Sequence, residues 1–102
     1  MNVITRKRLS LYAATYPDAR QSLLAWHRIV RTARWDSISS VRRSFPTADG
    51  VAARSKKIVT VFNIRGNNYR LITAIHYDRK RVFILRFMTH AEYDQLNWLE
   101  NL

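Results

Sequence analysis

The sequence predicts an α+β fold in which N-terminal helices pack on a small antiparallel β-sheet and a short helix follows the sheet. Two observations support this prediction. In the first half of the chain apolar residues recur at helical spacing, whereas in the second half runs of β-branched and aromatic residues alternate with turn-forming groups. The length of 102 residues is typical of one domain, so we expect residues 1–102 to form a single domain.

The first half is predicted to contain a short extended segment, residues 2–5, followed by helices. The first helix carries an apolar stripe at positions i, i+3, i+4 and i+7 and ends at Pro17. Asp18 is expected to cap a second helix that runs to about Ala33, with apolar residues on one face and mainly arginines on the other. Leu24 is the one apolar residue that falls outside this arrangement.

The middle of the chain carries weaker signals. A short third helix is expected to start at Asp36 and to end before Pro46. Residues 47–57 contain Asp49 and Gly50 and show no sustained periodicity, so we expect a loop there.

The second half is predicted to form three antiparallel strands, because three runs rich in Val, Ile, Phe and Tyr are separated by turn-forming groups. A last short helix is expected from residue 91 to residue 102, with Thr89 as its N-cap and Glu92 at the capping-box position. The predicted strands are residues 58–64, 69–77 and 81–88.

The charge of the chain points to a polyanion partner. Eighteen Lys and Arg residues against seven Asp and Glu residues leave a net charge of +11, a balance typical of nucleic-acid binding. Acidic protein surfaces and anionic membranes are the competing partners for such a charge. The N-terminus lacks the apolar run of a signal peptide, and no apolar stretch is long enough to span a bilayer. We therefore expect a cytoplasmic protein without a membrane partner.

Several kinds of chemistry are excluded or disfavoured by composition. The absence of cysteine excludes thiol catalysis and a disulfide framework. Two glycines cannot build a Gly-rich phosphate loop, so no nucleotide cofactor is expected. The three histidines, His27, His76 and His90, match no metal-ligand spacing, and no metal site is expected.

Strand register is predicted to bring polar residues together at one end of the sheet. If the first hairpin turns between residues 66 and 67, Asn63 faces Arg70, and a second turn about residue 79 places Arg86 on the same face. The chain leaves that end of the sheet through His90 and Tyr93. A slip of one residue in either hairpin would separate these side chains.

Arg86 is the most notable of these residues, because a charge inside an apolar strand costs desolvation free energy unless it is paired or faces a polar cleft. The structural alternative is an arginine that extends along the sheet to water. The other three residues also have structural alternatives. Arg70 could be an ordinary solvated arginine, Asn63 could simply flank the turn, and His90 could be a surface histidine. A free imidazole exchanges protons near pH 7.

Other basic residues are candidates for contacts with phosphate. Lys56 and Lys57 precede the first long strand and are either a solvated pair or phosphate clamps at the same cleft. Arg31 and Arg34 belong to the basic face of the second helix. The tryptophans could stack on bases, but aromatic residues at helical spacing are more often part of a core.

Two segments of the chain resemble the HigB family of type II toxins. They are Val-Phe-Asn-Ile-Arg-Gly-Asn-Asn-Tyr-Arg-Leu, residues 61–71, and Arg-Phe-Met-Thr-His-Ala-Glu-Tyr-Asp, residues 86–94. Residues 1–5 and 44–46 are also similar to that family, so the likeness runs over nearly the whole chain. Arg65 stands where a second glycine is common in the family and adds charge near the predicted site.

The resemblance implies a RelE-like fold and an mRNA endonuclease that acts on translating ribosomes without a cofactor. It also implies a HigA-type helix-turn-helix antitoxin as partner, in a hetero-oligomer that binds operator DNA through the antitoxin. The family's polar site carries over onto matching positions here, with Lys57 included. The implied catalytic residues are Arg70, Arg86, His90 and Tyr93, and the implied RNA contacts are Asn63 and Lys57. The further RNA contacts are expected from basic charge alone, at Lys56, Arg65, Arg31 and Arg34.

Metal-free RNA cleavage needs an activated 2′-hydroxyl, a stabilised phosphate charge and a protonated leaving 5′-oxygen. Arg86 and Arg70 match the charge requirement, because a guanidinium can hold two phosphate oxygens. His90 is the preferred general acid or base, Tyr93 a positioning group or alternative proton donor, and Asn63 a hydrogen-bonding group for phosphate or base. The sequence does not identify the general base, and a lysine is one of the candidates.

Two other function classes compete with this interpretation. A non-catalytic module that binds RNA or DNA would use the basic helix over residues 20–34 and would leave His90 without a role. A regulatory protein with an acidic protein target is the third possibility. The convergence of Asn63, Arg70, Arg86 and His90 distinguishes the classes, since a plain binding module does not require it.

Overall fold

The computed structural model describes residues 1–102, apart from the side chain of Asn101. Three helices cover one face of a five-stranded sheet, and the C-terminal segment covers part of the other face. The α+β, RelE-like fold class predicted from the sequence is therefore confirmed. The elements are β1 Asn2–Ile4, α1 Lys7–Thr15, a 3₁₀ turn Pro17–Ala19, α2 Arg20–Thr32, α3 Ile38–Ser44, β2 Asp49–Ala52, β3 Ile58–Ile64, β4 Tyr69–His76, β5 Arg81–Thr89, α4 His90–Asp94 and a 3₁₀ turn Asn97–Asn101.

The sheet has the strand order β1-β5-β4-β3-β2. β1 runs parallel to β5, and the other neighbours are antiparallel. No helix among the residues described is long and apolar enough to cross a membrane.

The amphipathic helices form as their spacing predicts. Leu23, Trp26 and Val30 of α2 are buried against the sheet, as is Leu9 of α1, because they repeat at helical intervals. Leu24, the residue outside the stripe, is 47% exposed. The helix-facing core therefore contains the apolar faces of the helices together with strand residues such as Phe62, Leu71 and Ile84.

The expected capping role of Asp18 is wrong. Asp18 lies inside the 3₁₀ turn that precedes α2, and α2 begins at Arg20 without a side-chain cap. The carboxylate of Asp18 instead accepts hydrogen bonds from the Tyr69 hydroxyl and from Arg65, both in the β3–β4 hairpin. The Asp18 carboxylate makes no hydrogen bond to the start of α2, so it can accept hydrogen bonds from these residues that are distant in sequence.

The predicted loop at residues 47–57 contains a strand that the sequence did not reveal. β2 is an edge strand of the sheet and pairs with β3, with Asp49 opposite Val61 and Ala52 opposite Ile58. The strand is only four residues long and mostly exposed, so it shows neither alternation nor an apolar run.

The predicted helix 91–102 is also corrected, because it is interrupted at Leu96, which adopts a left-handed backbone conformation with φ of 62°.

The predicted register is confirmed for the pairs at the site but not beside the β4–β5 turn, where His76 pairs with Arg81 rather than with Val82. Asn63 pairs with Arg70 in the β3–β4 hairpin, and Ile72 pairs with Arg86 between β4 and β5. A β-bulge lies between these pairs and the β4–β5 turn, where the register shifts by one residue at Thr73. Without this bulge Arg86 would face the helices, because a shift of one residue exchanges the two faces of a strand.

The bulge is stabilised by a side chain from the helix layer. Arg8 of α1 donates hydrogen bonds to the carbonyl oxygens of Ile84 and Leu85, at 2.9 and 3.1 Å. The Thr5 hydroxyl also bonds to the backbone of Ile84. The carbonyl groups at the bulge, which places Arg86 on the outer face, are therefore hydrogen-bonded to Arg8.

A second, smaller core holds the C-terminal segment on the other side of the sheet. Trp98 packs there with Val59, Val61, Ile72 and Met88. Its indole nitrogen donates a hydrogen bond of 3.0 Å to the carbonyl oxygen of Tyr93. This packing holds α4 beside the end of the sheet at which β4 begins.

Candidate active site

Arg70 is the centre of a polar cluster at the start of β4. The residue is only 8% exposed, and its guanidinium donates to the backbone carbonyls of Asn67 and Tyr69 at 3.0 and 3.1 Å. It also donates to the Asn67 side-chain oxygen and lies over the Tyr93 ring, 5.4 Å from the ring centre. No carboxylate pairs with Arg70 among the side chains described. The positive charge is therefore buried among neutral partners and is free to attract an anion.

α4 is fixed beside this arginine by two sets of hydrogen bonds. Thr89 and Glu92 form the predicted capping box, which is confirmed. The backbone N–H of His90 donates a hydrogen bond of 2.9 Å to the carbonyl oxygen of Asn68 in the β3–β4 turn. The first turn of α4 is therefore tied both to its own cap and to the hairpin that carries Arg70.

His90 has both ring nitrogens engaged. Its Nδ1 lies 3.3 Å from Nη2 of Arg70, and its Nε2 lies 3.3 Å from Oδ2 of Asp94. Arginine is only a donor, so Nδ1 must be the acceptor and must carry no proton in this contact. We therefore assign the neutral ring the tautomer with hydrogen on Nε2, directed at the Asp94 carboxylate.

Tyr93 faces the cluster as a protonated phenol. Burial raises the pKa of Tyr93, Asp49 raises it further, and Arg70 opposes the shift. The ring stacks on Trp98 with their centres 5.1 Å apart. Tyr93 is therefore held in place by the second core and can donate a proton or hydrogen bond at neutral pH.

The desolvation argument applied to Arg86 is wrong for that residue. Arg86 is exposed and donates a hydrogen bond of 2.9 Å to the carbonyl oxygen of Leu85, which it reaches within its own strand. It lies on the predicted face but outside the hydrogen-bonded cluster. The buried arginine of this face is Arg70, with Asn63 half-buried in the paired position on β3.

The remaining basic residues named by the sequence lie elsewhere. Lys56 and Lys57 are exposed in the β2–β3 loop. Lys57 precedes Asn63 by six residues, or about 20 Å along β3. The Arg65 guanidinium forms an ion pair of 3.0 Å with Asp18 and so reaches towards the helix layer. Arg31 and Arg34 are exposed at the end of α2 and just beyond it, in the layer that covers the opposite face of the sheet.

The structure adds Asn67 and Asp94 to the residues found from the sequence. Asp94 follows His90 by four positions on α4, a spacing that places two side chains on one helical face and could have indicated the contact. Asn67 lies in the turn three residues before Arg70, and no sequence pattern predicts that its side chain folds back. A shallow cavity of about 420 Å³ lies beside the cluster. Its lining residues are Asn67, Asn68, Tyr69, Thr89, His90 and Ala91.

Comparison with known proteins shows the family of this chain. The model of the HigB toxin family, the RelE-like toxic component of a toxin-antitoxin system, matches residues 19–96. The chain belongs to the HigB toxin family. The matched range includes every member of the Arg70 cluster, from Asn67 to Asp94.

Relatives of this HigB-family toxin match over most of their length. The mRNA interferase HigB of Escherichia coli O6:H1, strain CFT073, is 30% identical over 96 residues, which cover 94% of this chain and 91% of that protein. The mRNA interferase toxin HigB of Escherichia coli K12 is 30% identical over 94 residues, covering 92% and 88%. The mRNA interferase HigB of Shigella flexneri matches to the same extent. The family resemblance found in the sequence is confirmed.

Proposed function

We propose that this toxin is a ribosome-associated, metal-independent mRNA endoribonuclease that stops translation. The observation that carries the proposal is Arg70, a buried cation without a carboxylate partner, in contact with a histidine that is bonded to an aspartate. The names of the relatives support the substrate. No group of three His, Cys, Asp or Glu residues that could hold a metal ion occurs in the described part of the chain.

The first step we propose is the binding of the scissile phosphate by Arg70. A phosphate oxygen is a stronger acceptor for a guanidinium than a neutral imidazole nitrogen, because the hydrogen bond is charge-assisted. Phosphate therefore displaces Nδ1 of His90 from Nη2 of Arg70. Substrate binding in this way releases the one ring nitrogen that can accept a proton.

His90 then acts as the general base. Nδ1 takes the proton of the 2′-hydroxyl while the 2′-oxygen forms a bond to phosphorus, and Asp94 stabilises the imidazolium through Nε2. Tyr93 donates its proton to the 5′-oxygen as the bond from phosphorus to that oxygen breaks. The products are a 2′,3′-cyclic phosphate and a free 5′-hydroxyl. Arg70 and Arg86 stabilise the charge that develops on the phosphate.

The other basic residues are proposed to hold RNA along the surface. Asn63 contacts the phosphate or a base next to Arg70. Lys56 and Lys57 contact RNA at the other end of β3. We assign Arg65, Arg31 and Arg34 to contacts with ribosomal RNA outside the cleft. Because such contacts release counterions, binding to the ribosome weakens steeply as salt rises.

The partner proposed for this toxin is a HigA-type antitoxin with a helix-turn-helix fold, since the family is the toxic component of a toxin-antitoxin system. Toxin and antitoxin form a hetero-oligomer that binds operator DNA through the antitoxin. We propose that residues 1–102 act as one toxin domain and that cleavage takes place in the cytoplasm, where messages are translated.

The test is controlled expression without antitoxin, followed by primer extension on a defined message. Wild-type toxin should produce new 5′ ends inside the coding region, and a variant with Arg86→Ala should reduce them on the order of 10²–10³-fold. Arg28→Ala is the matched control, an exposed arginine of α2. Equal small losses for both arginines would support the binding-module alternative, and intact messages with continued protein synthesis would exclude the toxin activity.

Metal independence is tested separately by single-turnover cleavage on pre-formed ribosome complexes in excess EDTA, with ribosome integrity monitored. Cleavage should persist. Loss of cleavage that a transition metal restores on intact ribosomes would exclude the metal-free mechanism.

A further inference from the structure

The segment after α4, residues 97–102, lies beside the site although none of its residues has a role in the proposed reaction. The match to the HigB toxin model ends at residue 96. Trp98 of this segment is only 7% exposed and packs on Ile72 and Met88. Ile72 and Arg70 are two residues apart on β4 and share one face of the sheet, so Trp98 lies on the face that carries the site.

Two packing contacts orient the ring of Tyr93, the residue proposed to donate a proton to the leaving oxygen. Trp98 stacks on the ring with the two planes 21° apart, and the guanidinium carbon of Arg70 lies 5.4 Å from the ring centre. No hydrogen bond to the Tyr93 hydroxyl occurs among the residues described. Because the χ2 torsion of a tyrosine has only broad preferences, this packing decides where the hydroxyl points.

The backbone of Tyr93 is held by the same segment. Its carbonyl oxygen accepts hydrogen bonds from the indole nitrogen of Trp98 at 3.0 Å and from the backbone N–H of Leu96 at 3.1 Å. Leu96 has a left-handed backbone conformation, which costs free energy in a residue with a side chain and persists only where surrounding contacts hold it. This conformation ends α4 and lets Trp98, five residues after Tyr93, return to its ring.

The far end of the segment is anchored on the β2–β3 loop. The guanidinium of Arg54 donates to a carboxylate oxygen of Glu100 at 2.8 Å, and the backbone N–H of Arg54 donates to the carbonyl oxygen of Leu99 at 3.3 Å. An exposed ion pair contributes little stability by itself. The segment is therefore fixed mainly by the burial of Trp98, with these bonds as a second attachment.

We propose that Trp98 is a positioning residue that holds Tyr93 in place for proton transfer. This inference rests on the part of the proposed function in which Tyr93 is the proton donor. Trp98 contacts no substrate in this role and acts only through Tyr93. A proton donor must lie within hydrogen-bond distance of the leaving oxygen, and a displacement of about 1 Å can cost about 100-fold in rate. The alternative is a tryptophan that only stabilises the second core.

The first experiment compares two buried tryptophans by single-turnover cleavage on pre-formed ribosome complexes. Trp98→Leu keeps an apolar side chain but removes the stacked ring, and it should slow cleavage about 10- to 100-fold. Trp98→Phe keeps a ring and should recover most of the rate. Trp35→Leu is the matched control, because Trp35 is 3% exposed in the helix-facing core and stacks on Phe62. It should lower stability in urea unfolding but cleave near the wild-type rate while folded.

A double-mutant cycle separates positioning from a general loss of stability. Tyr93→Phe removes the proposed proton, so adding Trp98→Leu to Tyr93→Phe should slow cleavage little further. Wild-type cleavage by Trp98→Leu would overturn the proposal. So would a loss that is as large in the Tyr93→Phe background as in the wild-type toxin, because Trp98 would then act by another route.

The second experiment measures Tyr93 in the free toxin, without RNA, by a carbon NMR titration of labelled tyrosine. Burial raises the pKa of Tyr93, Asp49 of β2 and Asp94 of α4 raise it further, and Arg70 of β4 lowers it. Trp98→Leu exposes the ring and should move this pKa towards the ordinary value of tyrosine, whereas Trp35→Leu should leave it unchanged. An unchanged pKa in Trp98→Leu would overturn the proposal. If the wild-type toxin leaves messages intact but Trp98→Leu still shifts the Tyr93 pKa, the proposed nuclease fails and the positioning of Tyr93 by Trp98 stands.

Discussion

Arg70 shows how a single residue connects the fold to the site. A buried guanidinium without a carboxylate destabilises a fold unless acceptors surround it, and here two backbone carbonyls, an amide oxygen and an imidazole nitrogen do so. Replacing the imidazole by a phosphate would improve the electrostatics of the cluster. An arrangement that is satisfied but improved by an anion is typical of a binding site rather than of a structural charge.

The first prediction concerns His90. His90→Gln should slow single-turnover cleavage by about 10²–10⁴-fold, because glutamine keeps hydrogen-bonding atoms but cannot accept a proton near pH 7. Ribosome affinity should stay nearly unchanged, since one neutral side chain contributes little to a charge-driven interface. The measurement is cleavage beside a pelleting assay across salt. Cleavage at the wild-type rate would exclude His90 as the general base, and a parallel loss of binding would make His90 a contact residue.

The second prediction concerns Asp94 as a positioning residue. Asp94→Asn should reduce cleavage at least about 10-fold but less than His90→Gln, because the amide keeps the shape and loses the charge that stabilises imidazolium. Asp78→Asn, in the β4–β5 turn, is the control and should cleave normally. Nitrogen NMR of the His90 ring should show hydrogen on Nε2 in the wild-type toxin. An Nδ1–H tautomer, or full activity of Asp94→Asn, would contradict the proposed role.

At the scale of elements, the sequence was sufficient where one local rule acted alone. β3 has the bounds predicted, because its apolar run and the following turn are unambiguous. Asp18 and β2 were missed because their partners are distant in sequence, in the β3–β4 hairpin and on β3. Of the site, the pairing of Asn63 with Arg70 followed from register, whereas the burial of Arg70 depends on how the turn and α4 fold over it.

The third prediction uses two capping boxes of the same type. Thr89 caps α4 beside the site, and Ser37 caps α3 with Ser40 in the helix layer. Thr89→Ala and Ser37→Ala should each lower the free energy of unfolding by about 1 kcal/mol. Only Thr89→Ala should also slow cleavage, because α4 holds His90 and Tyr93. Urea unfolding and single-turnover cleavage check this, and equal activity of the two variants would show that the α4 cap does not position the site.

At the scale of the whole molecule, the sheet separates two cores of different size. The starts of β4 and α4 hold the cluster proposed for RNA beside the C-terminal segment, and the three helices cover the other face. The bulge in β5 contributes to this division, because it keeps Arg86 on the outer face with Arg70. A deletion at the bulge would exchange the faces of the strand beyond it and place a charge against the helices.

The last prediction concerns the pH dependence of stability. Burial raises the pKa of Tyr12, Tyr77 and Tyr93, and the hydrogen bond to Asp18 raises the pKa of Tyr69. The folded chain therefore holds these four phenol protons more tightly than the unfolded chain, in which tyrosine ionises near pH 10. Above about pH 10 the unfolded state loses protons first, so the free energy of unfolding should fall as pH rises. Urea unfolding from about pH 8 to about pH 11, with absorbance titration of the phenols in both states, measures this. Tyr77→Phe should make the fall less steep, because it removes one of the four groups. A stability that stays constant or rises up to pH 11, or a variant that loses stability as steeply as the wild type, would contradict the assignment of this loss to the tyrosines.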